Sequence, residues 1–229
     1  MKTNFILAAF CWAVLFGFAG LPLAGQTRPF VRAVGQGSVS IKPDQAKVSF
    51  SVITQASTAQ AASTQNATQV QALLTALTGV LGPNADVRTV SYSLSPNYTY
   101  PQNQQPVLTG YTASNTVQAT TTDLANVGKL IDTGIQAGAN QVQGLSFGLI
   151  NDQDARSQAL KLATMQAKAL ADAMASGLGM HTGAAQTIQE GVATSTTPVS
   201  AVGAVSATPV VSGTLTIDAT VTLDVSLVP

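Results

Sequence analysis

The sequence predicts an α+β fold. It reads as a ferredoxin-like βαββαβ core with an added long helix and a C-terminal strand, in one largely antiparallel sheet with helices on one face. Three observations lead there. Between Lys47 and Ile150, segments of period two and segments of helical period follow in the order strand, helix, strand, strand, helix, strand. A longer helical pattern then opens at Asp152 and Asp154. Last, Leu215 to Leu227 alternates apolar and polar at every step.

The elements follow in order. Val31–Val34 and Ser38–Ile41 are two short extended pieces broken by Gly35 and Gly37, and Pro43-Asp44 is a turn. In that turn Asp44 is placed to accept from nearby backbone amides. Lys47 to Val52 alternates as a half-buried strand. A helix runs from about Ala56 to Thr78, with an apolar stripe of Ala59, Ala62, Val70, Leu73 and Leu77 that Asn66 interrupts. Gly79, Gly82 and Pro83 end it.

Asp86 to Leu94 is the next strand. Val87, Thr89 and Ser91 lie on one side, and Arg88, Val90, Tyr92 and Leu94 on the other. Pro96 to Pro106 is a loop, and Thr109 to Thr121 returns to close a long-looped hairpin. Asp123 is the N-cap of a helix carrying Leu124, Val127, Ile131 and Ile135, which stops at Gly138. Asn140 beyond it suits a left-handed turn.

Val142 to Ile150 is a strand. The long helix places Leu160, Ala163, Ala167, Leu170, Met174 and Leu178 on its stripe, with Met165 and Met174 buried. Its opening aspartates complement the helix dipole. Thr187 to Val192 is a weak strand, and residues 193–209 are low-complexity loop. In the last strand Leu215, Ile217, Ala219, Val221, Leu223, Val225 and Leu227 share the face that must be buried.

The start of the chain reads differently. A short basic beginning at Lys2, an apolar run from Phe5 to Leu23 and small residues at 24–25 form the pattern of a cleaved secretory signal over residues 1–25. An uncleaved anchor is the alternative, since the run approaches the ~20 residues that span a bilayer. Residues 26–229 are then one domain. Cys11, the single cysteine, falls inside the leader, so the exported part has no thiol for disulfides, thiolate catalysis or metal binding.

Net charge is zero and charged residues make up 9% of the chain, against roughly 25% in ordinary soluble domains. No charged side chain falls between Lys47 and Asp86. Such a chain has no electrostatic footprint for nucleic acid or anionic lipid. A low charge fits either a neutral solvated face or a surface covered by other subunits.

Catalytic constellations are missing from the sequence. His181 is the one histidine and Glu190 the one glutamate. A serine triad, a nitrogen-rich metal site and a paired-carboxylate site all need more. Asp152 and Asp154 lack the spacing of a calcium loop and read as helix-start residues. The glycines at 35 and 37 match neither a dinucleotide fingerprint nor a P-loop. The expectation is a protein that is not an enzyme and carries no cofactor. Tyr98, Tyr100 and Tyr111, with Tyr92, gather around the hairpin. They are the candidate interaction surface, for a further subunit or a protein partner in the envelope, or else they pack the hairpin against the sheet.

A set of short motifs carries a family resemblance. They are Gly35-Gln36-Gly37 with Pro43-Asp44-Gln45-Ala46, then Leu94 to Tyr100, then Gly110-Tyr111-Thr112-Ala113-Ser114-Asn115. Gly138-Ala139-Asn140 leads to Ser146-Phe147-Gly148-Leu149, and Ala167 to Ala171 and the last strand complete the set. In this order the chain resembles the SIMPL-domain family, which includes periplasmic immunogenic proteins, over residues 31–229. The resemblance implies export to the periplasm or the outer membrane. It also implies a link in some members to oxidative stress defence, and at least one channel-like homo-oligomer. It assigns no catalytic residues. Ser212-Gly213 departs from the usual Pro-Gly, and the helices carry fewer charges than the family pattern.

Overall fold

A computed structural model describes residues 29–83, 85–191, 194–196 and 210–229. The expected leader, 1–25, lies outside them. So does the low-complexity stretch 193–209, apart from three residues.

The strands are β1 (Phe30–Ile41), β2 (Gln45–Ala56), β3 (Asp86–Thr99), β4 (Val107–Thr121), β5 (Gln141–Gly148), β6 (His181–Glu190), β7 (Thr194–Thr196) and β8 (Leu215–Val228). The helices are α1 (Ala59–Leu81), α2 (Val127–Gln136, after a 3-10 turn at Leu124–Asn126) and α3 (Gln153–Gly177). The expected order β2-α1-β3-β4-α2-β5 is present. All strand pairs are antiparallel, but they form two sheets where the sequence suggested one. The central sheet has the order β3-β4-β2-β5, and the terminal sheet β1-β8-β6, with β7 also on β8. The split has a simple cause. β1 does not fold back on β2 but pairs with β8 from Phe30↔Ser226 to Ile41↔Leu215.

The central sheet is half-buried under α1 and α2. Thr58 caps α1, its hydroxyl accepting from the Ala61 amide at 3.2 Å. From there Ala62, Asn66, Val70, Leu73 and Leu77 face inward, at the spacing that keeps one helix face on the core. They meet Val48, Phe50 and Val52 of β2, Val117 of β4 and Leu130 of α2, all buried. Each large aliphatic group taken out of water there contributes roughly 1.5–3 kcal/mol. Asn66 belongs to this stripe. Its amide nitrogen donates to the carbonyls of Val52 (2.8 Å) and Ala113 (3.3 Å), tying α1 to β2 and β4. Ile135, expected on the inner face of α2, is exposed; Leu130 and Gly134 are buried instead.

The terminal sheet is built on a different economy of size. The inward face of α3 is a row of alanines four residues apart: Ala155, Ala159, Ala163, Ala167, Ala171 and Ala175. They rest on β1 and on Ile217 to Val225 of β8. Gly35 and Gly37 do not break β1, which is continuous; they make room for the helix. A Cβ on Gly35 would stand 2.9 Å from the Cα of Ala167, and one on Gly37 2.5 Å from the Ala163 nitrogen. Such approach is closed to any larger side chain. The expected stripe therefore needs correction. Leu170, Met174 and Leu178 are exposed, and so is Met165 at 59%. Small residues face the sheet, Leu160 is half-buried beside them, and the other bulky apolar side chains of the helix face outward.

Past Gly177 the Met180 amide returns to the Ala175 carbonyl at 3.0 Å, with Gly179 at φ +69°. That is a left-handed stop of the kind glycine favours. Asp154 lies in the first turn, while Asp152 makes no side-chain cap.

Candidate interaction surface

The β3–β4 hairpin is where the sequence placed its candidate residues. β3 is an edge of the central sheet and runs on to Thr99, so Tyr98 stands in a strand and the loop is shorter than expected. The register shifts between Thr89 and Ser91. This bulge at Val90 reverses the alternation beyond it. Tyr92 and Leu94 pair with Asn115 and Ala113, which in turn pair with Val52 and Thr54 on the helix-covered side of β2. Ser91 and Ser93 take the other side with Arg88. The faces read from simple alternation were therefore right for Val87 and Thr89 and wrong after them.

The four tyrosines divide. The Tyr92 hydroxyl donates to Ser63 Oγ of α1 at 3.1 Å, anchoring β3 to the helix. Tyr111 is half-buried, paired with Ala56 and Pro96. Beside it a Cβ on Gly110 would meet the Ala56 carbonyl oxygen at 2.7 Å, so the strand irregularity there requires glycine. Tyr98 opposes Leu108 and is 48% exposed, while Tyr100 is 74% exposed at the start of the loop. The loop itself turns through Asn103 at φ +60°, with Gln104 bonded to the Pro101 carbonyl. Asn97 and Thr112 join side chains at 2.8 Å across the hairpin. From Thr89 to Thr122 no residue is charged. Val90, Leu94, Val107 and Leu108 are exposed along with the tyrosines. Natural edge strands are usually guarded by charge; here charge stops at Asp86 and Arg88, and the rest of the edge has none.

Charges gather elsewhere. On the helix-free face of the terminal sheet, Arg32 of β1 makes a bidentate pair with Asp224 of β8 at 2.7 and 2.8 Å. Thr187 of β6 donates to the same carboxylate at 2.8 Å. The Arg32 hydrogen bonds, then that of Thr187, hold the Asp224 carboxyl down at about 2. Asp172 is also lowered, by Lys168 and then Thr182, which tie α3 to β6. Arg156 reaches Glu190 at 2.6 Å. These acids serve cross-strand and helix–strand ties.

The remaining singled-out residues hold the frame. Asp44 accepts from Ile150 N–H at 2.7 Å, far along the chain, and its own amide bonds to the Gly148 carbonyl. Asn140 pairs its side-chain amide with both backbone groups of Ile53, at 2.7 and 3.0 Å, as a strand peptide would. The left-handed residue nearby is Gly138, at φ +109°. His181 is exposed at the start of β6. A recess of about 240 Å³ between the end of α1 and the start of α2 is lined by Asp123 and Lys129 without a histidine or second acid. Among the described residues no three His, Cys, Asp or Glu side chains group as metal ligands, and no helix is long and apolar enough to cross a membrane.

Comparison with known proteins adds a lineage. The profile of SIMPL, described as a protein of unknown function (DUF541), matches residues 31–225. The 26 kDa periplasmic immunogenic protein of Brucella melitensis is 35% identical over 193 residues, covering 77% of this chain and 76% of that protein. An uncharacterised protein, YggE, of Edwardsiella ictaluri is 26% identical over 182 residues, covering 77% and 76%. The Escherichia coli YggE is 27% identical over 168 residues, covering 72% and 68%.

Proposed function

Because the chain belongs to the SIMPL family, we propose that it is an exported, non-enzymatic protein of the periplasm or outer-membrane surface that acts as a homo-oligomer. The observation that carries this reading is the β3–β4 hairpin. It is an edge with no charge from Thr89 to Thr122 and with exposed Val90, Tyr92, Leu94, Tyr98 and Leu108. Contiguous apolar surface of this kind on an exported protein is covered in use. The periplasmic name of the Brucella relative supports the compartment. Any part in stress defence is then indirect, through envelope organisation, because the exported part has no thiol. A channel-like ring is the form of assembly the reading favours.

The test is the molar mass of the purified protein by light scattering across a range of concentrations. A stable mass of several subunits is expected, and a monomer at every concentration would overturn the reading. A second reading has its own support. Tyr100 stands 74% exposed on the Pro101–Pro106 loop, a form suited to presenting an aromatic group to a different envelope protein. A monomer that retains a partner only with Tyr98 and Tyr100 intact would favour it.

A further inference from the structure

The outward face of α3 has two unlike flanks. One carries charge: Lys168 and Asp172 bond with each other and with Thr182 of β6, beside exposed Met165. The other is a row four residues apart: Leu162, Gln166, Leu170 and Met174, continued by Leu178 just past the helix end. Its members are exposed where they are apolar. Two contacts place this row beside β1. The Cβ of Leu162 lies against Gly37, and Gln166 Oε1 accepts from the Gln36 amide. β1 is an edge of its sheet, with no strand among the described residues on its outer side.

We propose that this row seats a second copy of the chain, and that the partner presents its β3–β4 hairpin to it. The inference rests on the self-association reading above and says which surfaces meet. Three observations select this occupant. The row is uncharged, and so is the hairpin from Thr89 to its end at Thr121, so no charge is stripped of water when these parts join. The hairpin offers large apolar side chains on one side, Tyr92, Leu94, Tyr98 and Leu108, which match the bulky row in kind. And the Gln36 amide on the β1 edge is already taken by Gln166, which directs the contact to side-chain packing and away from an added strand. Two different surfaces of one chain then meet head to tail. Such a contact repeats from copy to copy and closes into a ring if its rotation permits.

Single-cysteine variants test this in the full chain with Cys11→Ser. Leu170→Cys and Leu94→Cys are each purified, then oxidised alone and mixed. A disulfide-linked pair in the mixture, with none in either alone, is expected. A pair from Leu170→Cys alone would mean that α3 meets α3 and would overturn the proposal. Absence of the mixed pair while the parent chain remains multi-subunit would overturn it and leave self-association standing; a monomeric parent would remove both. In parallel, the Leu170→Ser, Met174→Ser double variant is expected to melt like the parent yet associate at least about tenfold more weakly. Unchanged association would overturn the proposal.

Discussion

Gly37 of β1 and Ala163 of α3 touch backbone to backbone: a Cβ on the glycine would stand 2.5 Å from the alanine nitrogen. Gly35 and Ala167 repeat the contact one step along. The terminal sheet is therefore held by closeness, with many small dispersion contacts replacing the bulk of larger side chains.

That closeness makes Gly37→Ala costly. The added methyl meets main chain, which cannot swing aside as a side-chain tip can, so α3 must lift from the sheet. A loss of about 2–4 kcal/mol is expected by urea unfolding. Gly144→Ala in β5, where a Cβ meets nothing within 4 Å, is the control and should shift stability by no more than about 0.5 kcal/mol. Equal effects would refute the close-packing account.

The two faces of α3 should respond in opposite ways. Ala163→Leu drives a large group into backbone contact and should cost about 3 kcal/mol or more. Met165→Ala removes a longer side chain from an exposed position and should cost under about 0.5 kcal/mol. Thermal melts of the two variants, run together, decide it.

How far the fold was legible turns on this same helix. The alternation of Leu215 to Leu227 named the buried face of β8 correctly, and the three-four spacing of Val70, Leu73 and Leu77 did so for α1. In both, the larger side chains are the buried ones. On α3 they are not, and a stripe chosen for bulk picks Leu170 and Met174 over Ala171 and Ala175. The missing signal was the pairing of an alanine every fourth residue with glycines two apart on a strand, which becomes meaningful only once β1 is known to lie beneath α3. The bulge at Val90 left no mark in the alternation, so the face of Tyr92 was legible only in the register. Likewise β1 and β8, at opposite ends of the chain, gave no local sign that they pair with each other and so make a second sheet.

The Arg32–Asp224 pair predicts a pH dependence. The Asp224 carboxyl is held at about 2 in the folded chain and rises to about 4 when unfolded. The stabilisation from this ion pair is therefore present above about pH 4 and fades as pH falls toward 2. Stability measured from pH 5 to pH 2 should fall less steeply in Asp224→Asn than in the parent. Parallel curves would show that the pair carries no such linkage.

Asn66 is buried, and its amide nitrogen bridges α1 to two strands, while its Oδ1 finds no partner among the described residues. Asn66→Ala removes both bonds and leaves a small void. A loss of about 2–3 kcal/mol is expected in denaturant titrations. A neutral result would mean that the unpartnered oxygen already cancels what the two bonds contribute.

The tyrosines should separate by depth. Tyr100→Ala should leave the melting temperature within about 2 °C of the parent, since the ring is mostly in solvent. Tyr111→Ala empties a half-buried place against Ala56 and Pro96 and should lower it clearly, by about 1–3 kcal/mol in stability. Circular dichroism melts of the two variants beside the parent make the comparison.

The pairing of β1 with β8 has a consequence in time. The central sheet draws on one unbroken stretch, Gln45 to Gly148, and can close as soon as that stretch is available. β1 precedes all of it in the chain, yet its hydrogen-bonding partner is the last element of all. During synthesis or passage through a membrane from the N-terminus onward, Phe30 to Ile41 must wait, unpaired, until Leu215 to Val228 arrives. That strand is thus the step that completes the terminal sheet, and a chain halted before it leaves β1 without a sheet to join.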